Sequence, residues 1–183
     1  DVQQWMSPYI PIDYQLVDAE NLIAKVIVEQ NFEWLLMYED DNIPPPDSLI
    51  RLNEYMIRKD VPVVAGMYFT KSVPPEPMVY KERGQGYFAD WKLGEKVWVK
   101  GVPFGFTLIH GSLIRALWNE SPEYVVNGTT TRRVFNQPAN AVVDPETGGW
   151  LSESGTTDLE WCNRLVKDKI FEKAGWPKYQ KME

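Results

Sequence analysis

The chain is expected to fold as an α/β protein with a mostly parallel central sheet flanked by helices. Three features predict this. WLLMY (34–38) and VPVVAGMYF (61–69) are short apolar runs without polar alternation, the pattern of strands buried on both faces. Each is preceded by a segment whose apolar residues recur at helical spacing. The resulting order, helix, strand, acidic turn, helix, strand, is the wiring of helices packed over a parallel sheet.

In chain order, DAENLIAKVIVEQN (18–31) carries Leu22, Ile23, Val26 and Ile27 on one helical face, with Asp18 as candidate N-cap and Asn31 as candidate stop. The strand 34–38 runs into Glu39, Asp40, Asp41 and Asn42, and the prolines at 44–46 forbid its continuation. Asp47 is placed to cap a helix over 48–59, with Leu49, Leu52 and Met56 on one face. The Pro- and Gly-rich stretch 77–100 suggests two or three strands around turns. FTLIH (106–110) reads as a strand, followed by a helix from about Ser112. Residues 119–157 show no clear periodicity and are expected to be a long functional or mobile loop. A last helix is expected over 157–170.

The length of 183 residues suits a single domain over residues 1–183. The formal charge of −7, from 26 acids against 19 bases, argues against nucleic-acid partners, whose phosphates require concentrated Lys and Arg. It leaves room for a nucleotide held through a metal ion. A single cysteine, Cys162, excludes an intramolecular disulfide and a Cys-rich zinc site, and a reducing, cytoplasmic location is the simplest reading. No apolar run approaches the roughly 18–20 residues needed to span a bilayer. Trp91, Trp98, Trp150 and Trp176 fall in loop-like stretches, where they serve either core packing or as platforms for a sugar or base.

The acidic turn is the main functional signal. In open parallel sheets, ligands bind beyond the carboxyl ends of the strands. Glu39 and Asp41, one residue apart, can point the same way and offer hard oxygen ligands to Mg²⁺ or Mn²⁺. The plain alternative is a solvated turn that caps the next helix, although Asp47 already fills that position.

WLLMYEDDNIPPPDSLIRL resembles the metal-binding region of GT-A-fold glycosyltransferases, an apolar strand, an Asp-x-Asp motif, then Pro-Pro-Asp and a helix. DAENLIAKVIVEQ resembles the helix before that strand, VPVVAGMYFTK the strand after it, and GVPFGFTLIHGSLIRAL the family's Gly-x-Gly-Phe segment. TTDLEWCNRL resembles its later Glu-Asp helix. The ordered matches are most similar to family-2-like transferases. The resemblance implies that Glu39 and Asp41 hold Mn²⁺ or Mg²⁺ against the diphosphate of a nucleotide-sugar donor. It implies that Asp40 faces the ribose or donor sugar, and that Asp158 stands at the position of the usual general base of inverting members, acting on the hydroxyl of a glycan, protein or other acceptor. Three departures accompany it. Glu39 stands where the family has Asp, Thr157 where it has Glu, and the family's first strand and helix and its late histidine have no counterpart, YIPIDYQLV (9–17) resembling the second strand. The chain is therefore expected to be either truncated at both ends or a reduced variant of that fold.

Five further residues are singled out. His110 is either structural or a metal ligand or acceptor contact at a strand end. Gly105 permits either close backbone approach to a cofactor or a tight turn into the strand. Cys162 reads as a small buried hydrophobe. Arg132 and Arg133 read either as residues of a solvated loop or as partners for phosphate when that loop closes. The competing function classes are a nucleotidyltransferase, which usually carries a Gly-rich basic loop not seen here, and a non-catalytic GT-A-like module that binds glycan or scaffolds an assembly.

Overall fold

The computed structural model describes residues 11–82, 85–143 and 145–179. Among the described residues, five helices and seven strands follow in the order α1 (Leu16–Glu29), β1 (Trp34–Tyr38), α2 (Ser48–Arg58), β2 (Val63–Ala65), β3 (Phe106–His110), α3 (Gly111–Glu120), β4 (Glu123–Val126), β5 (Thr129–Arg132), β6 (Ala139–Val143), β7 (Trp150–Ser154), α4 (Thr157–Lys167) and α5 (Ile170–Lys173).

The mixed α/β class holds, with helices on both faces of a sheet. The strand directions correct the parallel expectation. The central sheet has the order β1-β3-β2, and β3 runs antiparallel to both neighbours. The two remaining ladders, β4 with β5 and β6 with β7, are antiparallel as well. β1 and β2 point the same way, as the helix between them requires, but they are not paired. β3 arrives much later in sequence and fills the gap between them. An apolar run reports burial on two faces and carries no information about direction.

Side chains alternate cleanly about this sheet. Leu35, Met37, Val63 and Ile109 face one core with Ala24 and Ile27 of α1, Leu113 and Leu117 of α3, and Trp161 and Leu165 of α4. Val64, Phe106 and Leu108 face the other, against Leu52, Tyr55 and Met56 of α2. Trp161 is fully buried, stacked on Phe135 at 6.1 Å and edge-on to Phe104 at 5.4 Å. Cys162 is a buried thiol beside it, as expected, pushed up to about 12 by burial.

Several local expectations need correction. α1 starts at Leu16 with Gln15 as N-cap, and Asp18 instead accepts a hydrogen bond from the Tyr124 hydroxyl at 2.9 Å. Residues 11–15 form no strand, and residues 9 and 10 of the expected strand lie outside the described residues. Asp47 holds the N-cap position of α2, but its carboxylate binds Arg51 at 2.6 Å rather than a backbone amide. Over 77–100 the described residues form only isolated bridges, Phe69 with Pro77 and Tyr80 with Gly101. The expected loop 119–157 contains two hairpins. One turns through Asn127 and Gly128, both at positive φ (46° and 79°), the Asn-Gly signal for a two-residue hairpin. The last helix breaks at Lys169, which adopts a left-handed φ of 54°. Among the described residues no helix is long and apolar enough to cross a membrane.

Candidate functional site

The register of β1 on β3 places the acidic turn. Tyr38 lies opposite Phe106, so the chain leaves β1 beside Gly105. The Gly105 carbonyl accepts the Glu39 amide at 3.0 Å and the Asn42 side-chain amide at 3.3 Å. The Gly105 amide donates to the Tyr68 hydroxyl at 2.9 Å. The Tyr38 hydroxyl closes the turn on the Asn42 carbonyl at 2.8 Å. A Cβ at Gly105 would stand 2.3 Å from the Tyr68 oxygen and 2.4 Å from the Asn42 amide nitrogen. Close approach is thus what this glycine serves, toward Tyr68 and Asn42. Gly105→Ala is expected to cost about 1–3 kcal/mol by overpacking. Urea denaturation checks this, and a loss below about 0.5 kcal/mol would show that Tyr68 and Asn42 yield freely.

Beyond the turn lies a cleft of about 430 Å³, lined among others by Glu20, Glu39, Asp41, Lys71, Thr157 and Asp158. Glu39 remains open to it. Partial burial, then the neighbouring charges of Asp41 and Asp158, hold its carboxyl above the usual range. Asp41 is bound by Lys71 at 2.9 Å, and that hydrogen bond holds its carboxyl below the usual range. Asp158 lies in the first turn of α4, where its Oδ1 accepts the Leu159 amide at 2.7 Å. Tyr68 is pushed upward by burial and then by Glu39, so it stays a neutral hydroxyl.

Three of the expected site residues, Glu39, Asp41 and Asp158, therefore share one cavity although α4 follows β1 by most of the chain. Asp40 is exposed and is not among the residues that line the cleft. His110 is displaced from the acids. It pairs with Trp34 at the start of β1, roughly 16 Å from Glu39 at 3.3 Å per residue. Its Nδ1 lies 2.7 Å from the Ser112 hydroxyl and accepts the Ser112 amide as the cap of α3. Its ring meets the edges of Trp34 and Trp176, and burial lowers its pKa. The strand end holding His110 is the opposite end of the sheet because β3 is antiparallel to β1. Arg132 pairs with Glu123 at 2.8 Å and Arg133 lies over the Tyr124 ring, neither lining the cleft. Trp91 packs against Phe69 beside a second, mainly apolar cavity of about 330 Å³ across Met78. Trp98 packs on Tyr179 and Trp176 on His110, and the Trp150 side chain lies outside the described residues.

The sequence reading missed Glu20, Tyr68 and Lys71. Glu20 carried a signal: it lies on the buried stripe of α1 with Ala24 and Ile27, at core-facing spacing. It is 3% exposed, and burial first, then Asp158 and Glu39, push its carboxyl up to about 8 against a hydrogen bond from Thr157.

Among the described residues no three His, Cys, Asp or Glu side chains stand close enough to hold a metal ion by themselves. Glu39 and Asp41 nevertheless form a hard-oxygen pair open to one cleft, and Mg²⁺-type sites commonly combine one or two carboxylates with substrate phosphates. The pair fits such an ion only together with oxygens from a ligand.

The fold and site define a mixed α/β protein with an acid-lined cleft at the end of its central sheet. No protein-family model matches the chain, and no curated protein matches it. Among solved structures it is similar to A197 from STIV, with a TM-score of 0.42 and 19% identity over 55% of this chain and 49% of that one. A likeness of that degree carries no argument about fold or function.

Proposed function

We propose that this chain is a metal-dependent glycosyltransferase of the GT-A kind, moving a sugar from a nucleotide-sugar to a hydroxyl acceptor. The observation that carries the reading is the meeting of Glu39, Asp41 and Asp158 in one cleft. Glu39 and Asp41 would hold Mn²⁺ or Mg²⁺ jointly with diphosphate oxygens. When bound, such an ion offsets the negative charge of the departing diphosphate. Asp158 takes the proton of the acceptor hydroxyl as that oxygen attacks the anomeric carbon. Lys71 starts paired with Asp41 at the rim, and it can exchange that partner for a phosphate oxygen.

The Asp41–Lys71 pair also suits a second reading, a cleft that binds glycan without turnover, because it neutralises one acid without a metal. Asp41→Asn separates the two. In the proposed enzyme it weakens Mn²⁺-dependent binding of UDP or GDP at least tenfold in calorimetry and leaves the circular dichroism spectrum unchanged. Equal affinity in wild type and variant, with and without EDTA, excludes the metal reading.

A further inference from the structure

Glu20 has a feature that its structural surroundings leave unexplained. Its Oε1 accepts the Thr157 hydroxyl at 3.0 Å, which ties α1 to the start of α4. Its Oε2 is buried and has no hydrogen-bond partner among the described residues. The residue is 3% exposed, and it lines the cleft. Tying two helices together uses one oxygen. Burying the other unpaired costs about 1–3 kcal/mol, a cost relieved if a group entering the cleft pairs with it.

The polarity of the cleft says which group that is. At its rim the Lys71 side chain is 80% exposed. At its inner wall stands Glu20. An ionised carboxylate repels phosphate, and a neutral one offers it a single hydrogen bond. A hydroxyl group suits both forms, since it donates to one and both donates to and accepts from the other. We propose that Glu20 is a specificity-determining contact, whose Oε2 pairs with a hydroxyl of the sugar moiety of a nucleotide-sugar while the diphosphate stays outward toward Lys71. This rests on the glycosyltransferase reading and adds to it the orientation of the ligand. Thr157 fixes the Glu20 carboxyl, and the adjacent Asp158 lines the same cleft.

The test compares a nucleoside diphosphate with its sugar conjugate. Calorimetry with saturating Mn²⁺ uses UDP against UDP-glucose and GDP against GDP-mannose, for wild type, Glu20→Leu and Glu20→Gln. Wild type is expected to bind one sugar conjugate at least tenfold more tightly than its diphosphate. Glu20→Leu removes that increment and leaves the diphosphate affinity unchanged. Glu20→Gln keeps most of it, because an amide also donates and accepts. If the leucine protein does not fold, Glu20→Asp takes its place: drawing the carboxyl back by one methylene is expected to reduce the increment at least threefold with the diphosphate affinity unchanged, and an intact increment overturns the contact. An increment absent from wild type, or intact in Glu20→Leu, also overturns the contact while diphosphate binding upholds the enzyme reading. Binding of neither ligand class by wild type overturns both.

Discussion

In an inverting transferase of the proposed kind, Asp158→Asn is expected to lower turnover by roughly 10²–10⁴-fold, the usual contribution of a positioned general base. The substitution keeps the shape of the side chain, so its effect reports on proton transfer. Asp158 stands in the first turn of α4, with Trp161, Cys162 and Leu165 of the same helix buried in the core. That packing fixes the helix and leaves Asp158 half-buried on the cleft side. Donor and metal binding should survive the substitution, because Glu39 and Asp41 come from a different element. A fall of less than tenfold in a donor-hydrolysis or transfer assay would reduce Asp158 to a helix-terminus acid. Loss of donor binding together with turnover would move it into the metal site.

Glu20→Gln is expected to stabilise the protein at alkaline pH and much less at acid pH. Burial pushes the Glu20 carboxyl from an ordinary 4.5 up to about 8. The folded state then keeps a proton that the unfolded chain releases near 4.5, so folding binds a proton between those values. Wild-type stability must fall as pH rises through that window, and the loss is complete only above about 8. The gap between 4.5 and about 8 corresponds to at most ~5 kcal/mol, and about 2–4 kcal/mol is expected once the cleft relaxes around the charge. Glutamine has no proton to lose, so the difference between the two proteins isolates this one group. Urea midpoints in EDTA should separate progressively from pH 5 to pH 8.5. Parallel stability profiles across that range would mean that Glu20 titrates as an exposed acid.

The parts of the fold legible in the sequence are those set by local pattern. The strand 34–38 and the helices at 16–29 and 48–58 follow from apolar runs, helical spacing and prolines, all of which act within a few residues. The Asn127–Gly128 hairpin was equally legible, since both residues tolerate the positive φ that its turn needs. It was lost among polar neighbours without periodicity. The isolated bridges of residues 69–101 were not legible, because the apolar residues there pack on a cavity wall and keep no period.

For the site, the sequence alone marks the acids of the turn at the end of β1 and the acid at the head of α4. It does so through residue type and position alone: a carboxylate run after a buried strand, and an acid beginning an amphipathic helix. The tertiary structure decided which of them meet. The antiparallel placement of β3 sent His110 to the far end of the sheet and brought Gly105 under the acidic turn. The packing of α1 against the start of α4 carried Glu20 to the inner wall of the cleft, where Thr157 holds it. Strand direction and helix docking depend on contacts between residues far apart in the chain. A local pattern contains the chemistry of each group but not its distance from the others.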